Sequence, residues 1–345
     1  MERQALAVKY RPAKFEDVCE QKSTITILQN QLNTNTFKHA YLFSGPAGCG
    51  KTTCARIFAN EINQGSGNPI EMDAASNSGV DDVRKIISQA QTQAIDSEFK
   101  VFIIDECHAI SNTGWQAFLK LIEEPPAKSI FIFCTTDPQK IPKTILSRVQ
   151  RYDFQRISQK SISIRLTDIY DTEIGIPTNT QDEVCNALEY IATIANGGMR
   201  DAITLMDKCL SYDTELTVDV VNDILGNVGF SELLDFIEYV YFDEVVKALQ
   251  FLNDKYIQGI DIKQFINQLY STLLSLAIFA YTNNFELAGL PETTEIRERV
   301  DSWDDSIFNG IFSMLDEITL VKSESKWDAN PKMRLEAWIV LRSQR

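Results

Sequence analysis

The sequence predicts an α/β domain, with a parallel sheet covered by helices on both faces, followed by two all-α regions. Short apolar runs alternate with helical patterns through residues 1–160, and a glycine-rich loop joins the first run to a helix. Strand patterns largely cease from about residue 158. We therefore expect an α/β domain over 1–157, a small helical domain over 158–214 and a larger helical domain over 215–345.

Four apolar runs predict the strands of the sheet: "HAYLFSG", "PIEMDAA", "KVFIIDE" and "SIFIFCTT". The stretches at 101–104 and 130–133 are continuously apolar, as is typical of parallel strands that are buried on both faces. Between the second and third runs, a helical pattern places Val80, Val83 and Ile87 on one face.

The C-terminal half combines helical patterns with a strongly acidic composition. Of the net charge of −15, residues 1–160 contribute +2 and residues 161–345 contribute −17. A surface that binds phosphate groups is therefore expected in the N-terminal half, whereas the acidic half suits contacts with protein. The helical patterns lie at 158–172, 180–195, 199–211, 216–226, 230–252, 260–282, 301–322 and 331–343.

Composition and hydropathy favour a soluble protein of the cytoplasm. The seven cysteines form no CxxC pair, which argues against a zinc ribbon or a dithiol redox site. The N-terminus "MERQALAVKYRP" lacks the apolar core of a signal peptide. The longest apolar stretch, "LLSLAIFAY", is much shorter than the roughly 20 residues that span a bilayer.

The glycine-rich loop has the complete GxxxxGK[ST] spacing of a phosphate-binding loop. Its glycines can turn backbone N–H groups toward phosphate oxygens at the start of a helix. Lys51 would reach the β- and γ-phosphates, and the Thr52 hydroxyl would bind magnesium. The alternative is a strand–helix turn without a ligand. The residues expected to contact the nucleotide are Gly45, Pro46, Ala47, Gly48, Cys49, Gly50, Lys51, Thr52 and Thr53.

The third apolar run ends in two carboxylates, Asp105 and Glu106, which would lie at the carboxyl edge of the sheet. We expect Asp105 to hold the magnesium shell and Glu106 to orient and deprotonate the attacking water. The alternative role is that of an acid pair at a helix N-terminus. Cys107 and His108 have no second His or Cys at ligand spacing, so we expect them to pack or to begin a helix.

Beyond these patterns, a series of motifs resembles the AAA+ clamp-loader ATPases, in particular the bacterial DNA polymerase III gamma/tau family. These motifs extend from Lys9 to about Asp207, and "NPKMRLEAWIVLR" resembles the end of the family's collar domain. The resemblance implies an AAA+ domain, a helical lid and a collar for the three predicted regions. The motifs are "KYRPAKFEDV", "HAYLFSGPAGCGKTTCARIFA", "EMDAASNSGVDDVRKI", "KVFIIDECHAIS", "FLKLIEEPP", "TTDPQKIPKTILSR" and "GGMRDAITLMD".

The resemblance also implies roles for single residues. Arg11 and Pro12 would lie beside the adenine, and Thr136 would be the sensor-1 residue near the γ-phosphate. Arg148 resembles an arginine finger that acts on a neighbouring subunit, and Arg200 resembles the sensor-2 arginine. A finger is worth roughly 10³–10⁵ in rate, which would link hydrolysis to assembly of the ring. The alternatives are a surface salt bridge for Arg148 and a local ion pair for Arg200.

The sequence departs from the family pattern in two places. The family usually carries a four-cysteine zinc module after the P-loop helix, but only "INQGSGN" lies there, so zinc is not expected. The family's SRC triplet reads Ser147-Arg148-Val149, which keeps the arginine. Because the sequence ends at the collar, we also expect no extension that reaches a polymerase or helicase.

Contacts with DNA are expected in loops and first helical turns of the mildly positive half. Short polar side chains and backbone N–H groups at helix starts suit sequence-independent contacts with phosphates. Helix capping is the alternative role for these residues. The candidates are Ser76, Asn77, Arg84, Lys85, Ser111, Asn112 and Thr113.

Together, these observations predict an ATPase subunit of a sliding-clamp loader that uses ATP and magnesium. Its expected partners are the other subunits of a ring of about five, the sliding clamp and primer–template DNA. Its location would be the cytoplasm of a bacterium, or of the host if the gene is viral. The alternatives are another AAA+ DNA motor of the branch-migration type and a non-hydrolysing scaffold subunit of the ring. The acidic C-terminal half argues against the motor, and the intact catalytic set argues against the scaffold.

Overall fold

The chain divides into two compact units, residues 1–217 and 218–345. The computed structural model describes residues 4–77, 79–92, 96–175, 181–213, 215–290, 294–325 and 327–344. The expected boundary between residues 214 and 215 lies three residues before this division, and Thr214 lies outside the described residues.

The first unit contains a five-stranded sheet in which every pairing is parallel. The strands are β1 Ala40–Ser44, β2 Ile70–Asp73, β3 Lys100–Asp105, β4 Ser129–Thr135 and β5 Gln150–Asp153. Their order is β2–β3–β4–β1–β5. Ser44 pairs with Thr135 and Asp73 with Asp105, so the carboxyl ends of the strands meet at one edge.

The edge strand β5 was not predicted from the sequence. Its residues "QRYD" are mostly polar, and only Tyr152 is buried. An edge strand packs one side against the sheet and leaves the other to solvent, so it does not need the continuous apolar run of a central strand.

Helices cover both faces of the sheet and continue beyond it. The predicted patterns at 158–172, 180–195 and 199–211 correspond to the last three helices of this unit. The helices are α1 Leu6–Lys9, α2 Lys22–Thr34, α3 Lys51–Ile62, α4 Val80–Ala90, α5 Asn112–Glu123, α6 Lys143–Leu146, α7 Gln159–Glu173, α8 Gln181–Ile194 and α9 Met199–Tyr212. Short 3₁₀ turns lie at Phe15–Asp17, Cys107–Ala109 and Pro138–Lys140.

Aromatic side chains fill the two layers between the sheet and its helices. On one face Tyr41 and Phe43 of β1 lie in the same cluster as Phe58 of α3, and on the other Phe131 of β4 contacts Phe118 of α5. All five side chains are fully buried. Burial on both faces explains the apolar runs and holds the loops at the carboxyl edge in place.

The second unit is entirely helical in its described residues. Its core lies where α13 and α16 pack, around Leu273, Leu276, Met314 and Ile318. The helices are α10 Val218–Leu225, α11 Phe230–Tyr241, α12 Val245–Ile257, α13 Ile262–Thr282, α14 Phe285–Ala288, α15 Thr294–Asp301, α16 Asp305–Ser325 and α17 Pro331–Arg342. Among all described residues, no helix has both the length and the apolar composition that a membrane span requires.

One predicted helix of this unit is wrong in its extent. The pattern at 230–252 is divided between α11 and α12 by a turn at Asp243, whose φ of 57° lies in the left-handed region. The amide of Glu244 donates to the carbonyl of Tyr239 and closes the turn. Apolar residues continue on both sides of the turn, so the periodicity did not reveal it.

Candidate nucleotide-binding site

The glycine-rich loop lies between β1 and α3, and close packing explains two of its glycines. Gly45 has φ of 153°, and a Cβ there would lie 2.4 Å from the carbonyl oxygen of Phe154. Gly48 has φ of 69°, and a Cβ there would lie 2.9 Å from the Cα of Gly198. Any side chain at these positions would displace neighbouring backbone.

Lys51, the first residue of α3, turns back into the loop. Its side chain is buried, and Nζ donates to the carbonyl oxygens of Gly45 at 2.9 Å and Pro46 at 2.7 Å. An ammonium group has three hydrogens, so one remains for a phosphate oxygen. The loop therefore holds a positive charge in place before any ligand arrives.

Thr52 and Asp105 form the contact expected of a magnesium site. The Thr52 hydroxyl donates to Asp105 Oδ2 at 2.8 Å, while Asp105 Oδ1 accepts from the amide of Glu106 at 3.0 Å. Across the described ranges no group of three or more His, Cys, Asp or Glu side chains could hold a metal. Magnesium bound beside nucleotide phosphates needs only one or two carboxylates, with water and phosphate oxygens completing its shell. These two residues therefore fit magnesium.

Glu106 follows β3 in a left-handed conformation, with φ of 46°. Such a conformation costs a non-glycine residue about 1–3 kcal/mol, and it persists only where the surroundings determine it. Thr136, which follows β4, donates from its hydroxyl to Glu106 Oε2 at 3.1 Å. Thr136 therefore contacts the carboxylate that is expected to act on water.

His108 has a contact that the sequence did not predict. Its Nδ1 lies 3.2 Å from Glu106 Oε2 and 3.2 Å from the hydroxyl of Thr135. Cys107 packs in the core as expected, and burial raises the pKa of its thiol. The expectation that His108 only packs or begins a helix was incomplete. The contact with Thr135 depends on the pairing of β3 with β4, which spacing along the chain does not reveal.

The start of α9 contributes to the same site. The amide of Met199 donates to the carbonyl of Gly48 at 3.1 Å, and Arg200 lines the cavity above the loop. Burial lowers the pKa of Arg11, and the nearby positive charges of Arg56 and Arg200 lower it further. The cavity lining has four basic side chains, Arg11, Lys51, Arg165 and Arg200, and an equal number of acidic ones.

The loop, the two carboxylates and α9 surround a cavity of about 280 Å³. Of the predicted nucleotide and catalytic residues, Gly45, Pro46, Thr136 and Arg148 lie outside its lining, and the others belong to it. Several lining residues were not predicted from the sequence, among them Tyr10, Asp17, Val18, Cys19, Ile157 and Arg165. Three of these lie in the motif "KYRPAKFEDV", which could have indicated that they are near the nucleotide. No sequence motif marks Arg165 on α7.

Arg148 lies apart from this cavity. Its Nη2 is 2.8 Å from Glu123 Oε1, and its Nη1 donates to the carbonyl of Thr144 at 2.8 Å. About 39% of its side chain is exposed. The residue expected to act as a finger therefore contacts Glu123 and Thr144 of its own chain.

The DNA candidates have local partners in this structure. Arg84 pairs with Asp81 and Lys85 with Asp82 on the exposed face of α4. The Ser111 hydroxyl accepts from the amide of Gly114 and caps α5. Ser76 and Asn77 donate to Asp73, Thr113 lies 3.2 Å from the Ser111 hydroxyl, and Asn112 begins α5. Their contact with DNA remains a prediction.

Family models match most of the chain. A model described as "DNA polymerase III, delta subunit" matches residues 20–78 and 69–158, and one described as "DNA polymerase III subunits gamma and tau domain III" matches residues 216–338. The "DNA polymerase III subunit tau" of Bacillus subtilis is 36% identical over 99% of this chain and 63% of its own length. The protein of that name from Escherichia coli is 32% identical over 81% of this chain and 46% of its own length.

Among solved structures, the Thermotoga maritima RuvB Holliday junction branch migration motor has a TM-score of 0.51. It is 19% identical, and the match covers 63% of this chain and 72% of that one. With the parallel sheet and the P-loop site, this likeness defines the fold as that of the AAA+ class. The sequence matches go further: the chain belongs to the DNA polymerase III gamma/tau family. It spans about half to two thirds of the length of the two tau relatives.

Proposed function

We propose that this chain is an ATP-hydrolysing subunit of a DNA sliding-clamp loader. One observation carries the proposal: the Thr52–Asp105 pair and Glu106 lie beside the P-loop at one sheet edge. That arrangement combines a phosphate cradle, magnesium ligands and a base, as hydrolysis of a nucleoside triphosphate requires. Membership of the gamma/tau family supports the role in clamp loading.

In the proposed reaction, Lys51 and the loop amides hold the phosphates while Glu106 removes a proton from water. The water oxygen forms a bond to the γ-phosphorus, and the bond to the β–γ bridging oxygen breaks. The electron pair of the broken bond leaves with ADP, and inorganic phosphate is the second product. Magnesium, when held by Thr52 and Asp105, would neutralise charge on the phosphate oxygens.

Two arginines from different subunits would stabilise the negative charge that develops on the γ-phosphate. Arg200 would come from the chain that binds the nucleotide, and Arg148 from its neighbour. Arg200 lines the cavity of its own chain, so it would contact the bound nucleotide directly. Arg148 lies outside that cavity and is partly exposed, which suits a finger that reaches a neighbour's γ-phosphate. Hydrolysis would then be slow in the free chain and fast in an assembled ring with clamp and DNA.

Three functional regions complete the proposal. Residues 1–157 would bind and hydrolyse ATP, residues 158–214 would form a lid, and residues 215–345 would form the collar that joins subunits. The partners would be the other loader subunits, the clamp and primer–template DNA, in the cytoplasm of a bacterium or of a virus-infected host. Zinc has no proposed role.

The branch-migration alternative rests on the likeness to RuvB, which at 19% identity shows the fold alone. The tau relatives, at 32% and 36% identity, favour the clamp loader. The contacts of Lys51 with the loop carbonyls and of Thr52 with Asp105 suit nucleotide binding, and they favour a hydrolysing subunit over the scaffold alternative.

The deciding experiment measures ATP turnover by the chain alone and by the chain assembled with cognate loader subunits. The assembled complex is measured with and without clamp and primer–template DNA, and Glu106→Gln serves as the inactive reference. We expect slow turnover alone and strong stimulation in the full complex. Absence of turnover in the full complex would support the scaffold, and directional strand displacement would support the motor.

A further inference from the structure

His108 lies on the side of Glu106 that faces β4. Its Nδ1 is within 3.2 Å of Glu106 Oε2, and Thr136 donates to that same oxygen at 3.1 Å. The second carboxylate oxygen, Oε1, has no protein hydrogen bond within the described parts of the chain. Two contacts on one oxygen restrict the direction of the carboxylate, and Glu106 is one of the residues that line the cavity.

The contacts of His108 also indicate which ring nitrogen carries hydrogen. A carboxylate only accepts hydrogen bonds, so an Nδ1 without hydrogen would place two lone-pair atoms 3.2 Å apart. With hydrogen on Nδ1, the ring donates to the Thr135 hydroxyl and places the positive end of the N–H bond 3.2 Å from Glu106 Oε2. The surroundings therefore favour the Nδ1–H tautomer, whose N–H dipole attracts the carboxylate.

Thr135 contacts the same ring nitrogen of His108 that lies beside Glu106. Its side chain is fully buried at the end of β4, and its hydroxyl accepts from the amide of Asp137 at 3.0 Å. The hydroxyl oxygen is therefore fixed by the backbone of the next turn. An imidazole placed between this fixed oxygen and Glu106 cannot move without losing one of its contacts.

We propose that His108 is a positioning residue for hydrolysis, acting through Glu106, an inference that rests on the proposed ATPase function. His108 and Thr136 hold Oε2, so that Oε1 faces the cavity and accepts the proton of the attacking water. His108 itself does not touch the nucleotide and transfers no proton.

The test compares two substitutions in the assembled complex with clamp and primer–template DNA. His108→Leu removes the donor, whereas His108→Asn keeps an N–H near the position of Nδ1. We expect His108→Leu to lower kcat about 10- to 100-fold, the range in which misplacing a catalytic group slows a reaction. The affinity for ATP should stay unchanged, and His108→Asn should recover most of the rate.

His39 provides a matched control because it is the only other histidine of the chain. It precedes β1, and its Nδ1 lies 3.4 Å from the carbonyl of Ser129. His39→Leu should leave kcat unchanged. Thermal unfolding of each variant establishes that the compared proteins are folded.

Three results would overturn the role of His108. These are an unchanged kcat in His108→Leu, an equal loss in His108→Asn, or a loss of ATP affinity that accounts for the slower rate. Glu106→Gln separates this inference from the proposed function. If Glu106→Gln hydrolyses ATP normally in the full complex, the proposed function fails. If Glu106→Gln is inactive while His108→Leu is fast, only the role of His108 fails.

Discussion

Arg148 and Glu123 form an ion pair across 2.8 Å, between the end of α5 and the residues that follow α6. Both side chains are partly exposed, and a pair of this kind contributes little to stability in water, roughly 0–1 kcal/mol. The pair can therefore open at small cost, which would release Arg148 for a partner outside its own chain.

We expect Arg148→Ala to leave ATP affinity nearly normal and to remove DNA-stimulated hydrolysis in the assembled complex. The loss should be about 10³-fold, because the missing guanidinium would neutralise charge at a neighbour's γ-phosphate. Equilibrium ATP titration and steady-state turnover measure the two effects. Glu123→Gln is the matched control, since it opens the ion pair but keeps the arginine, and it should retain stimulation. Unchanged stimulation in Arg148→Ala would refute the finger.

The loop glycines give a prediction about stability. Gly45→Ala should lower the free energy of unfolding by about 1–3 kcal/mol and abolish ATP binding, because its Cβ meets the Phe154 backbone. Gly65→Ala is the control, since Gly65 also has positive φ, at 80°, but its Cβ would meet nothing within 4 Å. Gly65→Ala should lower the free energy of unfolding by about 1 kcal/mol and leave ATP binding unchanged. Urea unfolding measures the stability of both variants. Equal effects of the two substitutions on ATP binding would contradict the steric argument.

The Thr52–Asp105 contact predicts how hydrolysis depends on magnesium. Asp105→Asn removes a negative ligand, so the magnesium concentration at half-maximal turnover should rise about 10-fold or more. A magnesium titration of ATP turnover measures this shift. Asp73→Asn is a suitable comparison, because Asp73 ends the neighbouring strand β2 and has no contact with Thr52. A similar shift in both variants would argue against a specific role for Asp105.

Glu20 gives a pH-dependent prediction. Hydrogen bonds from Ser158 and Ser161 lower the pKa of its carboxyl group below the ordinary value. The resulting stabilisation is present above the unfolded pKa of about 4.3 and is lost as pH falls through the lower folded pKa. The difference in Tm between the protein and Glu20→Gln should therefore close below about pH 4. A difference in Tm for Glu20→Gln that stays constant as the pH falls would contradict the prediction.

The sequence predicted those parts of the fold that follow from local pattern. Buried parallel strands are apolar throughout, and the P-loop has a fixed spacing, so both were visible in short segments. The edge strand β5 was missed because it buries only Tyr152, and the turn at Asp243 was missed because apolar residues continue on either side.

Prediction of the candidate site was likewise limited to residues that local motifs mark. Lys51, Thr52 and Asp105 were predicted because their chemistry is set by motif spacing. The contacts of His108 with Thr135 and of Glu106 with Thr136 depend on the strand order, which places the end of β4 beside the end of β3. Arg165 joins the cavity wall through packing of α7, and no motif marks it.

The contact between Gly48 and Gly198 constrains how this sequence can change over time. The two residues lie far apart in the chain, yet a Cβ on Gly48 would lie 2.9 Å from the Cα of Gly198. A substitution at Gly48 would force apart the phosphate loop and the start of α9, whereas a Cβ on Gly198 would first meet the side chain of Asp201. We therefore expect lineages that lose Gly48 to lose the close contact between loop and helix, and lineages that lose Gly198 to change at Asp201 first.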